Sequence, residues 1–132
     1  MSDPLSSYMG FHAQALPLRE QRMKLIASNL ANVDTPGYQA QDLDFNAALN
    51  SALRQAERPA GAGDALGGQI GGPNSLESFQ LARPSSQPSL DGNTVDPDGE
   101  RAAYGRAALE YRATLSFMEG KVRTLMTAIT GQ

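Results

Sequence analysis

Both ends of this chain carry apolar residues at the four-and-three spacing of a helix seam, and this constrains its fold more than any other feature. Toward the carboxyl end, Tyr104, Ala108, Tyr111, Leu115, Met118, Val122, Leu125 and Ile129 form one such series. At 3.6 residues per turn they fall on a single stripe of one long helix. Leu5, Met9, His12, Leu16, Arg19, Met23, Ile26 and Leu30 repeat the spacing near the amino end, with His12 and Arg19 as polar interruptions. The apolar members of both series are read as helix-packing, subunit-interface positions. Seam-bearing helices at both ends point to assembly before chemistry.

Size sharpens that reading. With 132 residues the chain has room for one modest domain. Aromatics are 6% of it and Trp is absent, so an enzyme-like core would be thin. A net charge of -3 gives no basic patch for nucleic acid and no polybasic membrane anchor. Cysteine is absent, which excludes disulfides and thiolate metal sites. The first residues lack the basic and apolar regions of a cleavable signal peptide. No apolar run reaches the roughly 18 residues of a transmembrane span.

The pattern divides into four stretches of one all-α unit: an assembly helix over 1–33, a turn and short helix over 34–58, a flexible linker over 59–95 and an assembly helix over 96–132. Pro17 interrupts the first helix by deleting a bond to the Ala13 carbonyl, so a kink or break is expected there. Pro36-Gly37, between Thr35 and Tyr38, suits a type II turn with positive φ at Gly37. Asp42 or Asp44 then caps a helix over Phe45, Ala48, Leu49, Ala52 and Leu53. From Pro59 to Gly92, 16 of 34 residues are Gly, Pro or Ser, a linker composition that leaves room for one short strand. The last helix has Asp96 as N-cap, Pro97 at its first position and Gly131 as its stop. Glu20 with Lys24, and Glu119 with Arg123, are i,i+4 pairs. A helix over 96–130 would be roughly 50 Å long. No third long helix exists to complete a monomeric bundle, so the two long ones are expected to pair as in a coiled coil and to seek further partners.

Catalytic patterns are missing. His12 is the single histidine, and the sequence around it shows no Ser-His-Asp or Cys-His pattern. The glycines between Gly61 and Gly72 carry no phosphate-loop Lys. The acidic run from Asp91 to Glu100 fails as a calcium loop, because aligning Gly99 puts Thr94 and Gly105 where carboxylates are required. No cofactor and no metal are expected, and no enzymatic activity.

The segment Ala27-Ser-Asn-Leu-Ala-Asn-Val-Asp-Thr-Pro-Gly-Tyr38 closely resembles the N-terminal signature of bacterial flagellar basal-body rod, hook and hook-associated proteins. The continuation Gln39-Ala-Gln-Asp-Leu-Asp-Phe45, the segment Asp91-Gly-Asn-Thr-Val-Asp96 and the ending Tyr111-Arg-Ala…Ile129-Thr-Gly-Gln look like the short subunits of the proximal rod. Longer members of the family insert β-rich domains where this chain has its linker. The resemblance implies a structural subunit exported by the flagellar type III apparatus without signal cleavage. It further implies a periplasmic rod in which terminal helices form the tube around the export channel and which transmits torque. Implied partners are copies of itself, other rod proteins, the rod-base adaptor and the membrane ring or export gate, with no nucleic acid.

Within that reading Asn29, Asn32, Thr35, Pro36, Gly37 and Tyr38 form a signature turn. Asn29 and Asn32 either bond backbone groups where the helix ends or contact another subunit. The competing class is a helical export chaperone or adaptor that binds a partner's amphipathic segment and stays in the cytoplasm.

Overall fold

The computed structural model describes residues 4–57, 76–85 and 89–131, with side chains from residue 9 onward. The proposed linker glycines between Gly61 and Gly72, and the Leu5 side chain, lie outside the described residues. Three helices dominate: α1 (Pro4–Ala31), α2 (Phe45–Ala56) and α3 (Pro97–Thr130). Two three-residue strands, β1 (Gln41–Leu43) and β2 (Gln80–Ala82), pair antiparallel with Asp42 opposite Leu81. A 3-10 turn (Leu76–Phe79) leads into β2. The ladder continues beyond the strands, because Asp44 N–H donates to the Phe79 carbonyl and Arg83 N–H to the Ala40 carbonyl. These bonds satisfy backbone groups that so short a sheet would otherwise leave unpaired.

The helix boundaries follow local chemistry. Asp44, not Asp42, caps α2, its side chain accepting from Ala47 N–H at 3.1 Å. Asp96 occupies the N-cap of α3 with Pro97 after it, although its carboxylate makes no capping bond. Gly131 ends α3 in the left-handed conformation at φ 70°, where a side chain would be strained. α1 runs from Pro4 to Ala31 as one helix with Pro17 in its interior, so of the expected kink or break the break does not occur. Pro17 and Ala13 both lie on the exposed side, where water can replace the missing backbone bond. Lys24 pairs with Glu20 at 2.8 Å. Glu119 and Arg123 do not close the matching pair on α3.

α1 and α3 run antiparallel. Asn29 meets Glu100, Arg19 meets Glu110 and His12 meets Phe117. Ten positions back along α1 thus match ten forward along α3, and the next seven match seven. On its other side α1 packs on α2 and β1 through a small core of Ala15, Leu18, Leu43, Ala48 and Leu49, with Leu25, Phe45, Leu53 and Phe79 around it. Arg19 ties the two layers. Its guanidinium lies 4.8 Å from the Phe45 ring centroid and its Nη1 donates to Glu110 Oε2 at 2.8 Å.

The face that α3 turns to α1 differs from the apolar stripe. Glu100, Ala107 and Thr114 are the buried positions of α3, and Ala103 and Glu110 between them are half-buried. Of the stripe, Ala108, Tyr111, Met118 and Leu125 are half-buried, while Tyr104, Leu115, Val122 and Ile129 are exposed. The stripe thus meets α1 along one side, with Tyr104 and Tyr111 across a groove from Met23 and Ala27, and leaves its other side outward. Small and polar residues make the intramolecular seam, because two helices approach closely over Ala and Thr, and the stripe lies along its edge.

Candidate functional site

The signature turn and the start of α3 interlock at one end of the helix pair. The turn forms as its sequence demands: Tyr38 N–H donates to the Thr35 carbonyl and Gly37 adopts φ 74°. Pro36 sets the first turn position and glycine alone takes the second without strain. Asn32 closes α1, its N–H and its side-chain amide both donating to the Ser28 carbonyl while Thr35 Oγ1 donates to its Oδ1.

Asn29 is fully buried and its amide is saturated. Its Nδ2 donates to the Gln41 carbonyl at 2.7 Å and to Glu100 Oε2 at 3.2 Å. Its Oδ1 accepts from Gln41 N–H at 2.9 Å and from the Tyr38 hydroxyl at 3.2 Å. An amide has two donors and two acceptor lone pairs, so nothing remains for another subunit. Asn29 and Asn32 thus bond local groups around the helix end.

Residues 91–95 complete the interlock. Gly37 N–H donates to the Asp91 carbonyl at 2.8 Å, Thr94 N–H to the Tyr38 carbonyl at 3.0 Å, and Ala40 N–H to Thr94 Oγ1 at 2.7 Å. Asn93 is buried, and its Nδ2 lies within 3.0 Å of the carbonyls of Asn32, Val33 and Thr35. Asp91 accepts from the Ser89 hydroxyl and from Asn93 N–H, and these bonds hold its carboxyl below the usual range.

Behind the turn lies an ionic cluster that sequence reasoning missed. Arg83 follows β2 and donates from Nη1 to Glu100 Oε1 at 2.5 Å and from Nη2 to Asp42 Oδ2 at 2.8 Å. Arg22 Nε reaches Asp42 Oδ1 at 3.2 Å. Burial pushes the Asp42 carboxyl up, but bonds from Arg83, the Leu43 N–H and Arg22 outweigh it and hold the group below its ordinary value. The only available signal was the charge itself: a lone Arg in a linker composition gives no hint of a partner 17 positions away.

The seam residues divide by place. On α1, Ile26 is buried, and Met9, Leu16, Met23 and Leu30 are half-buried. Met23 and Ala27 face Tyr104 and Tyr111 across an apolar groove of about 210 Å³, flanked by Glu20 and Lys24. Farther along α3, Leu109 is 69% exposed, Phe117 57%, Val122 50%, Met126 56% and Ile129 80%. At helical spacing Val122, Met126 and Ile129 share one side of α3 with the exposed Leu115, the kind of surface that marks a protein interaction site. His12 contacts the rings of Phe11 and Phe117, with centroids 5.3 and 5.7 Å away. No helix of the described residues is long and apolar enough to cross a membrane.

Known proteins resemble this chain in sequence. The family model described as Flagella basal body rod protein matches residues 9–39, which hold most of α1 and the turn. The flagellar basal body rod protein FlgB of Yersinia enterocolitica is 36% identical over 135 residues, covering 98% of each chain. Its counterpart in Escherichia coli is 36% identical over 137 residues, covering 98% of this chain and 97% of the relative. The FlgB protein of Cereibacter sphaeroides is 40% identical over 131 residues, or 94% of each.

Proposed function

The chain belongs to the FlgB family of flagellar basal-body rod proteins, and we propose that it is a structural subunit of the proximal rod. In this reading the flagellar type III apparatus exports the chain without signal cleavage. It then assembles by helix packing in the periplasm, in the tube that encloses the export channel and transmits torque. Its partners are copies of itself and other rod proteins, with the rod-base adaptor and the membrane ring or export gate at the base. The role is structural, not catalytic.

The observation that carries this reading is the exposed apolar surface of α3. Leu115, Val122, Met126 and Ile129 are all exposed, although the helix that bears them is already paired along a different face. Burying apolar area contributes roughly 25 cal/mol per Å², so this face favours contact with neighbours. A chain with a small core and long helices also suits passage through a narrow channel, with the ordering entropy offset when neighbours cover its surfaces.

Charge on that surface tests the proposal. Leu115→Glu and Leu125→Glu should abolish rod assembly and motility while leaving synthesis of the chain intact. Electron microscopy of basal bodies from these strains reads the outcome directly, and normal rods would defeat the proposal.

A further inference from the structure

Glu100 is 1% exposed and sits in the first turn of α3, where α1, β1 and the stretch after β2 converge. Its carboxylate accepts from Arg83 Nη1 and from Asn29 Nδ2. Asn29 is neutral, so Arg83 is the one cation among the described residues within ion-pair distance of Glu100. Asp42 shares Arg83 but also holds Arg22, and would keep a positive partner if Arg83 left. The dependence on Arg83 is therefore concentrated at Glu100. A buried pair adds little over an apolar pair of the same shape, but removing one member strands a charge and is strongly destabilising.

Arg83 belongs to neither long helix. It is delivered by the segment between α2 and α3, and it reaches Glu100 because β2 pairs with β1 and Arg83 N–H bonds the Ala40 carbonyl. We propose that Arg83 is a latch through which this middle segment controls the pairing of the terminal helices. When β2 is docked, Glu100 is compensated and can be buried against Asn29. When β2 lifts off β1, Glu100 loses its cation and keeps the neutral Asn29 as its partner, so the uncompensated carboxylate favours separation of the start of α3 from α1. Pairing of the two helices is thus conditional on a segment that lies between them in the chain. The inference concerns the isolated chain and stands apart from the rod reading.

Amide hydrogen exchange on the purified full-length chain tests the latch. Arg83→Met keeps most of the aliphatic stem and removes the charge. Protection of amides 24–31 and 97–107 should fall by roughly a hundredfold or more. Arg83→Met combined with Glu100→Gln removes the stranded charge as well, and protection should recover at least about tenfold over the single variant. Unchanged protection in Arg83→Met, or a double variant no better than the single one, overturns the proposal. If Arg83→Met does not fold, the double variant decides: a folded double variant supports the latch, and an unfolded one assigns the loss to packing and overturns it.

Discussion

The side-chain amide of Asn93 lies 2.9 Å from the carbonyl of Asn32, joining positions 61 residues apart. The same nitrogen approaches the Val33 and Thr35 carbonyls, so one side chain from the approach to α3 gathers the backbone of the turn after α1. Asn93→Ala leaves these carbonyls short of a donor and should lower unfolding free energy by about 2–3 kcal/mol. Asn93→Asp has the same shape but turns a carboxylate toward carbonyl oxygens, and should be no less damaging at neutral pH. Urea titration followed by circular dichroism measures both.

Gly37 adopts φ 74°, and a Cβ built there would meet nothing within 4 Å. A substitution therefore reads backbone strain alone. Gly37→Ala should cost about 1–2 kcal/mol. Gly37→Asn should cost less, because asparagine tolerates the left-handed region better. Equal losses for the two would locate the effect somewhere other than the backbone.

The two faces of α3 should differ in sensitivity in the isolated chain. Ala107 is 5% exposed and turned toward α1, so Ala107→Leu overpacks the seam and should destabilise by about 1–3 kcal/mol. Val122 is 50% exposed, and Val122→Glu should change stability by no more than about 0.5 kcal/mol. Thermal melts of the two variants separate the intramolecular seam from the outward surface.

Asp42 links stability to pH. Its folded pKa is lowered from 3.8, so the unfolded chain binds its proton more readily than the folded one. Its contribution is complete above the unfolded value and is lost as pH falls through the lower folded value. The urea midpoint should drop as pH falls from about 5 through 3, and Asp42→Asn should show a shallower drop over the same range. Parallel curves for the two proteins would remove Asp42 from the account.

Local chemistry made the helices legible. Asp96 with Pro97 marked the start of α3, Gly131 marked its end, and Pro36-Gly37 marked the turn, because capping and positive φ are decided within a few residues. Pro17 does not break α1, because the helix continues on both sides of it and its position is exposed. The face of α3 that meets α1 was marked only by small residues such as Ala103 and Ala107, because the buried Thr114 and Glu100 are polar while the stripe beside them is strongly apolar. Asn29 was visible as a residue near the end of a helix. Its link to Glu100 was not, since nothing local encodes a partner 71 positions away. Arg83 was illegible altogether, because its role depends on β2 pairing with β1.

The antiparallel register of α1 and α3 has a practical outcome for anyone labelling this protein. The start of α1 and the end of α3 lie at the same pole, and the interlocked turn lies at the other. A fluorescent or affinity fusion at either terminus would crowd the same region, next to the exposed Met126 and Ile129.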